Sequence, residues 1–316
     1  MSLPTFEDVQ QAHRAIRTLA KVTPLVEALE LSTQPGQRLF LKLESLQTTG
    51  SFKIRGALNA LLHFSPEEQR RGAIAASSGN HGKAVAYAAK HLGIPAVIVV
   101  PEDVSPPKAQ GILEAGAELH RAGRFSAERF AYAYRLVAER GLRLVHSYDD
   151  PYVIAGQGTI GLEILEQLPD ASTVLVPMSG GGLISGIALA IKSRAPQIRI
   201  VGVEPQGANR FQRSLSAGRP VALDHADTVA DGLRVLEPGE LTFALVSRYV
   251  DDVVTVTDEE ILEAVRRLLR YARVLAEPSG AASVAAALSG KVREEGKVVA
   301  VVSGGNIDLQ LLREIL

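Results

Sequence analysis

Residues 39–44 read Leu-Phe-Leu-Lys-Leu-Glu, and residues 48–57 read Thr-Thr-Gly-Ser-Phe-Lys-Ile-Arg-Gly-Ala. The first stretch alternates like a strand, and residues 57–62 read as helix. Between them Gly50 permits a turn and Ser51 is a good N-cap, which puts Lys53 in the first helical turn. A cation is disfavoured there, because the unpaired N–H groups carry partial positive charge. That field, with burial beside Phe52 and Ile54, favours the neutral amine and lowers the lysine pKa. A neutral lysine amine can form an imine with a carbonyl. A lysine taken alone more often snorkels to solvent, so the rest of the chain has to carry the weight.

Working outward, strand-like and helix-like segments alternate through nearly the whole chain, the pattern of an α/β protein with parallel sheets. Apolar strands are expected at 73–77, 94–100, 116–119 and 142–146, with helices opening near Lys83, Pro106 and Ser126. This group would form a small four-stranded parallel unit over residues 67–148. Residues 1–66 and 149–316 would form a larger unit, with strands at 173–177, 198–204 and 298–303. No repeat, low-complexity tract or flexible linker interrupts the pattern.

A chain of 316 residues is long enough for about two domains and a sizeable core. Hydrophobic residues at 46% and charged residues at 22% are ordinary for a globular protein. A formal net charge of −1, with no long basic or acidic run, argues against nucleic acid or an anionic membrane surface as a partner. The apolar runs are too short to span a bilayer, and the N-terminus reads as an amphipathic helix, not a secretion signal, so the cytoplasm is the default location. The absence of cysteine removes disulfides, thiolate nucleophiles and Cys-ligated metals.

Three times an apolar strand runs into a glycine-rich turn and then a helix: Ser78-Gly79-Asn80-His81-Gly82, Ser179-Gly180-Gly181-Gly182-Leu183 and Ser303-Gly304-Gly305-Asn306. In parallel sheets such turns sit at the carboxyl ends of strands, where ligands bind. Glycines let backbone N–H groups approach an anion, and the helix dipole adds to the attraction. Three such turns and a polarisable lysine suggest a ligand with a phosphate, a carboxylate and an electrophilic carbon. Gly156-Gln157-Gly158-Thr159-Ile160-Gly161 matches a dinucleotide pattern, but no clean strand precedes it and no acidic residue follows at the required distance; it reads as helix-packing glycines. The Gly-Lys pair at 82–83 lacks the spacing of a P-loop, and the histidines show no zinc-binding pair.

Ser51-Phe52-Lys53-Ile54-Arg55-Gly56-Ala57, Ser77-Ser78-Gly79-Asn80-His81-Gly82 and the 179–182 and 303–306 turns together resemble the signature set of the fold-type-II pyridoxal-phosphate enzymes, within them the threonine/serine dehydratase and serine racemase group. The likeness covers nearly the whole chain with the motifs in order. It implies two parallel-sheet α/β domains of the tryptophan synthase β-like architecture, pyridoxal 5′-phosphate as cofactor, a small amino acid as substrate, and a homodimer or homotetramer.

By the same resemblance, Lys53 carries the cofactor as an imine and, once released by substrate, takes the α-proton. Phe52 would flank the cofactor ring, and Ser179, Gly180, Gly181, Gly182 and Leu183 would hold its phosphate. Asn80 would bond the ring 3′-oxygen, Ser303 would face the pyridine nitrogen, and Glu277 resembles an acidic position beside the cofactor. Ser77, Ser78, Gly79, Asn80 and His81 would bind the substrate carboxylate. The implied reaction is dehydration and deamination of L-threonine or L-serine to 2-oxobutanoate or pyruvate and ammonia, with the cofactor phosphate protonating the departing hydroxyl. Ser78 stands where racemases have a serine opposite the lysine, so a catalytic second acid/base and a racemase are kept as the main alternative. A related β-elimination or β-replacement enzyme, and a catalytically dead amino-acid sensor, are the others. Racemase-like relatives bind a divalent cation near a Glu-Pro turn that Glu204-Pro205 matches, but Asn209-Arg210 replaces the later acidic ligand, so the expectation is no metal. The sequence ends soon after the Ser303 turn, without room for the C-terminal regulatory domain of the isoleucine-inhibited enzymes.

Overall fold

The computed structural model describes residues 2–32, 34–77, 79–104, 106–123 and 126–316. In chain order the strands are β1 (Leu25–Glu27), β2 (Gln37–Leu43), β3 (Ala73–Ala76), β4 (Ala96–Val100), β5 (Glu118–Arg121), β6 (Arg143–Leu144), β7 (Thr173–Pro177), β8 (Arg199–Pro205), β9 (Asp252–Val256) and β10 (Gly296–Val302). Among the described residues they form a six-stranded sheet, order β1-β2-β10-β7-β8-β9, and a four-stranded sheet, order β5-β4-β3-β6. Every neighbouring pair is parallel except β1 with β2, which is antiparallel at the edge.

The unbroken apolar runs of β4, β7 and β10 follow from burial on both faces, as parallel sheets covered by helices require. One face of the large sheet packs Leu41, Leu175, Val203 and Val302 against the helix Pro278–Leu288; the other packs Val174, Val176 and Val301 against the helix Gly182–Lys192. Helix starts carry the caps that satisfy free N–H groups. Thr5 with Asp8, Ser65 with Glu68 and Thr257 with Glu260 close capping boxes, and Asp150 accepts from the N–H groups of Tyr152 and Val153 ahead of Pro151. Gly156, Gly158 and Gly161 lie inside that helix, Pro151–Gln167, resting against Gly56, Gly186 and Ala190 in neighbouring helices. They serve close packing, as expected.

The small sheet draws its core from both sides of position 66. Ile54, Leu58 and Leu61 of the helix Lys53–Leu62 share one apolar cluster with Ala75, Ala88 and Ile98. On its other side the same helix buries Arg55 against Glu44, just past β2, and Glu163, on Pro151–Gln167. The segment carrying Lys53 is therefore fastened to both sheets.

Candidate active site

The carboxyl ends of β2, β10 and β7 lie side by side in the large sheet, and those of β3 and β6 close over them from the small one. The loops they carry enclose a cleft of about 740 Å³, lined among others by Phe52, Lys53, Asn80, Gly181, Glu277 and Ser303. This is the place and size at which parallel sheets bind small ligands.

Lys53 opens its helix, as expected, but Ser51 does not cap it. Phe52 occupies the N-cap, and Ser51 is extended (φ −161°, ψ 162°), pairing as an isolated bridge with Gly304. The N–H of Phe52 donates to Ser303 O at 3.1 Å and that of Gly305 to Gly50 O at 2.9 Å, so the lysine loop and the 303–306 turn are laced together. Lys53 Nζ lies 5.1 Å from the Phe52 ring centroid and donates to Ser147 O at 2.7 Å. Burial pulls the amine down to about 8. Roughly a tenth of it is then neutral at pH 7, against well under a thousandth for a solvated lysine.

After β7 the chain turns through Ser179, Gly180 and Gly181 into the helix Gly182–Lys192. Gly181 has φ +94°, and a Cβ there would meet the Phe211 ring at 2.5 Å, so only glycine fits. Thr242 Oγ1 donates to Gly180 O at 2.7 Å and fixes the peptide. The free N–H groups of the helix start give the turn partial positive charge. Ser179 Oγ is enclosed and has no hydrogen-bond partner among the described residues. A buried hydroxyl left in that state costs stability unless a ligand satisfies it.

From the small sheet, Asn80 begins the helix Asn80–Leu92. Its Nδ2 donates to Glu277 Oε1 at 2.6 Å, and its Oδ1 accepts from Asn306 Nδ2 at 2.7 Å. Glu277, which in isolation would be a solvated residue ahead of a proline, is only 7% exposed. Burial lowers the His81 pKa to about 3, and Lys53 nearby lowers it further, so the ring is neutral and its Nε2–H donates to Val145 O at 2.8 Å. Ser77 and Gly79 line the cleft beside it, and Ser303 is buried on the opposite wall. Ser78 lies outside the described residues. The structure thus brings Phe52, Lys53, Ser77, Gly79, Asn80, His81, the residues at 179–183, Glu277 and Ser303 to one cleft. Glu204 lies elsewhere, buried beside Arg210, and among the described residues no group of three His, Asp or Glu side chains could hold a metal ion.

Tyr148 and Arg129 also line the cleft, and sequence reasoning missed both. Tyr148 packs its ring where a side chain at Gly180 would stand, edge-on to His146 at 4.6 Å between centroids, and burial pushes its hydroxyl up to about 12. Its place just past β6 is the available signal. Arg129 lies on the helix Ser126–Arg140 without any local motif to mark it.

Comparison with known proteins agrees with this geometry. Residues 16–304 match the family described as pyridoxal-phosphate dependent enzyme. The chain belongs to the pyridoxal-phosphate dependent enzymes. It is 46% identical over 313 residues to an L-threonine ammonia-lyase of Thermotoga maritima, covering 99% of this chain and 78% of the relative. Among solved structures, maize serine racemase superposes with a TM-score of 0.95 at 39% identity, covering 99% of this chain and 97% of that one. A threonine deaminase whose source is given as T.th. superposes at 0.92 with 42% identity, covering 97% of this chain and 99% of that one.

The cofactor of this family is pyridoxal phosphate, and the cleft fits it on its own terms. An enclosed hydroxyl without a partner at Ser179 and a glycine-only turn at a helix start suit a phosphate, and a poorly solvated amine at Lys53 suits an aldehyde carbon. No helix among the described residues is long and apolar enough to cross a membrane.

Proposed function

We propose that this pyridoxal-phosphate dependent enzyme dehydrates and deaminates L-threonine, and L-serine as a smaller substrate, giving 2-oxobutanoate or pyruvate and ammonia. The observation that carries the reading is Lys53: a part-neutral amine facing the same cleft as a glycine turn at a helix N-terminus. The threonine ammonia-lyase and threonine deaminase among its relatives support the choice of substrate.

In this reading Lys53 holds the cofactor by its amine, the 179–183 turn binds the phosphate through backbone N–H groups and Ser179 Oγ, and Phe52 borders the ring. Ser303 stands at the ring nitrogen, and Asn80, its amide fixed by Glu277 and Asn306, offers its remaining N–H to the ring oxygen. When bound, the cofactor supplies an electron sink that acidifies the substrate α-carbon. Lys53 Nζ takes the α-proton; with a pKa near 8 it is basic enough to accept it and neutral often enough to be ready. Ser303 is a hydroxyl and cannot hold a ring nitrogen protonated as a carboxylate would, which favours quick loss of the β-hydroxyl over a long-lived carbanion. The N–H groups at 79–81 receive the substrate carboxylate at the start of Asn80–Leu92.

Purified protein supplied with pyridoxal phosphate is expected to release 2-oxobutanoate and ammonia in equal amounts from L-threonine, measured by oxo-acid and ammonia assays on one reaction. D-serine is assayed alongside L-serine turnover, because Ser78 raises the racemase alternative. Accumulation of D-serine with no oxo acid from either substrate would overturn the dehydratase reading.

A further inference from the structure

Behind the glycine turn the chain buries a charged side chain that the reaction does not use. Arg210, first residue of the helix Arg210–Ala217, and Glu204, in β8, are both fully buried. Glu204 accepts from the backbone N–H groups of Phe211 and Gln212, each at 3.0 Å, and so caps that helix. The Arg210 guanidinium lies 3.6 Å from the same carboxylate. Burial pushes Glu204 up to about 7 against the pull of Arg210.

The guanidinium reaches three carbonyls on three separate segments. Nη1 donates to Met178 O at 3.3 Å, and Nη2 donates to Leu233 O at 2.7 Å and to Ala208 O. Met178 immediately precedes Ser179, and Leu233 closes the short turn Asp231–Leu233, which lines the cleft. Phe211, the next residue, fills the space over Gly181. A cation is poorly placed at a helix start, and Arg210 Nε has no partner among the described residues. Buried ion pairs are often no more stabilising than apolar side chains of the same volume. What an apolar residue could not do is tie these three stretches of backbone together.

We propose that Arg210, held by Glu204, is a positioning residue for the 179–183 turn, a fixed internal cation that sets the turn to receive phosphate without a metal ion. The guanidinium fills the place beside Glu204 that the Glu-Pro turn marks in the sequence. The proposal rests on the reading of the 179–183 turn as the phosphate site.

The test titrates apoprotein with pyridoxal phosphate and, separately, with pyridoxal, which lacks the phosphate. Arg210→Met is expected to weaken pyridoxal phosphate on the order of 10- to 100-fold, the loss of hydrogen bonds from a charged donor, while pyridoxal binds as to wild type. Millimolar guanidinium should restore part of the loss, and neither Mg²⁺ nor a chelator should alter wild-type affinity. Equal losses for both ligands, no loss, or a wild-type affinity that collapses with chelator would each overturn the proposal. If Arg210→Met does not fold, Arg210→Lys carries the same comparison, since it keeps the charge but cannot span three carbonyls. A wild type that binds both ligands equally would remove the phosphate-turn reading, and the proposal with it.

Discussion

Lys53→Ala is expected to abolish the visible absorption band of lysine-bound cofactor and to slow 2-oxobutanoate release about 1,000-fold. Two functions disappear together: the covalent hold on the cofactor, and the base that takes the α-proton. Because they share one amine, the loss should fall on kcat and not on KM alone. The fold should survive, since Lys53 makes one hydrogen bond, to Ser147 O, and removing a poorly solvated amine costs little. Circular dichroism separates lost chemistry from lost structure. An added primary amine such as ethylamine should restore part of the rate by replacing the base. A folded variant that keeps both the band and the wild-type rate would contradict the assignment.

Arg55→Met is expected to destabilise the protein by about 4 kcal/mol, the cost of stranding one partner of a buried ion pair. Arg55 is 1% exposed and donates to Glu44 at 2.8 Å through both Nε and Nη2, and to Glu163 through Nη1 at 2.6 Å and Nη2 at 3.0 Å. Lys42 Nζ adds a bond to Glu163 at 2.5 Å. Two cations and two carboxylates balance, so removing Arg55 leaves one buried negative charge with no counterpart. Burial alone would lower the Arg55 pKa, but Glu44 and Glu163 hold it above the ordinary value. For a chain of this length such a loss lowers Tm by about 6 °C, read by a thermal melt. Arg55→Lys keeps the charge but not the fork and should fall between. An Arg55→Met protein melting with the wild type would show that the network does not fasten the Lys53 helix.

These two residues differ in how far the sequence reveals them. Lys53 is legible because a strand, a glycine and a helix start leave few conformations for what lies between, and because the glycine turns repeat at the ends of other strands. The role of Arg55 is not legible: Glu163 stands 108 positions away, and nothing local distinguishes a buried arginine from a solvated one. Ser51 misleads for a related reason. Its neighbours in sequence suggest a cap, whereas Thr49 and Gly50 take positive φ and steer Ser51 into a bridge with Gly304, far along the chain. Glu277 is placed by resemblance, but its burial and its bond to Asn80 come from the closing of the small sheet over the large one. The short edge strand β1 and the strand β9 escape notice because half-exposed strands of mixed composition lack the apolar runs that mark β4, β7 and β10. Gly156-Gln157-Gly158, by contrast, is readable as packing glycines because no strand leads into it.

All of this chemistry converges on one amine, and that can be examined directly. Borohydride reduction of the protein loaded with pyridoxal phosphate, followed by proteolysis and mass spectrometry, is predicted to fix the cofactor on the peptide that contains Lys53 and on no other. Cofactor fixed to a different lysine, or none fixed in a protein that turns over L-threonine, would contradict the account.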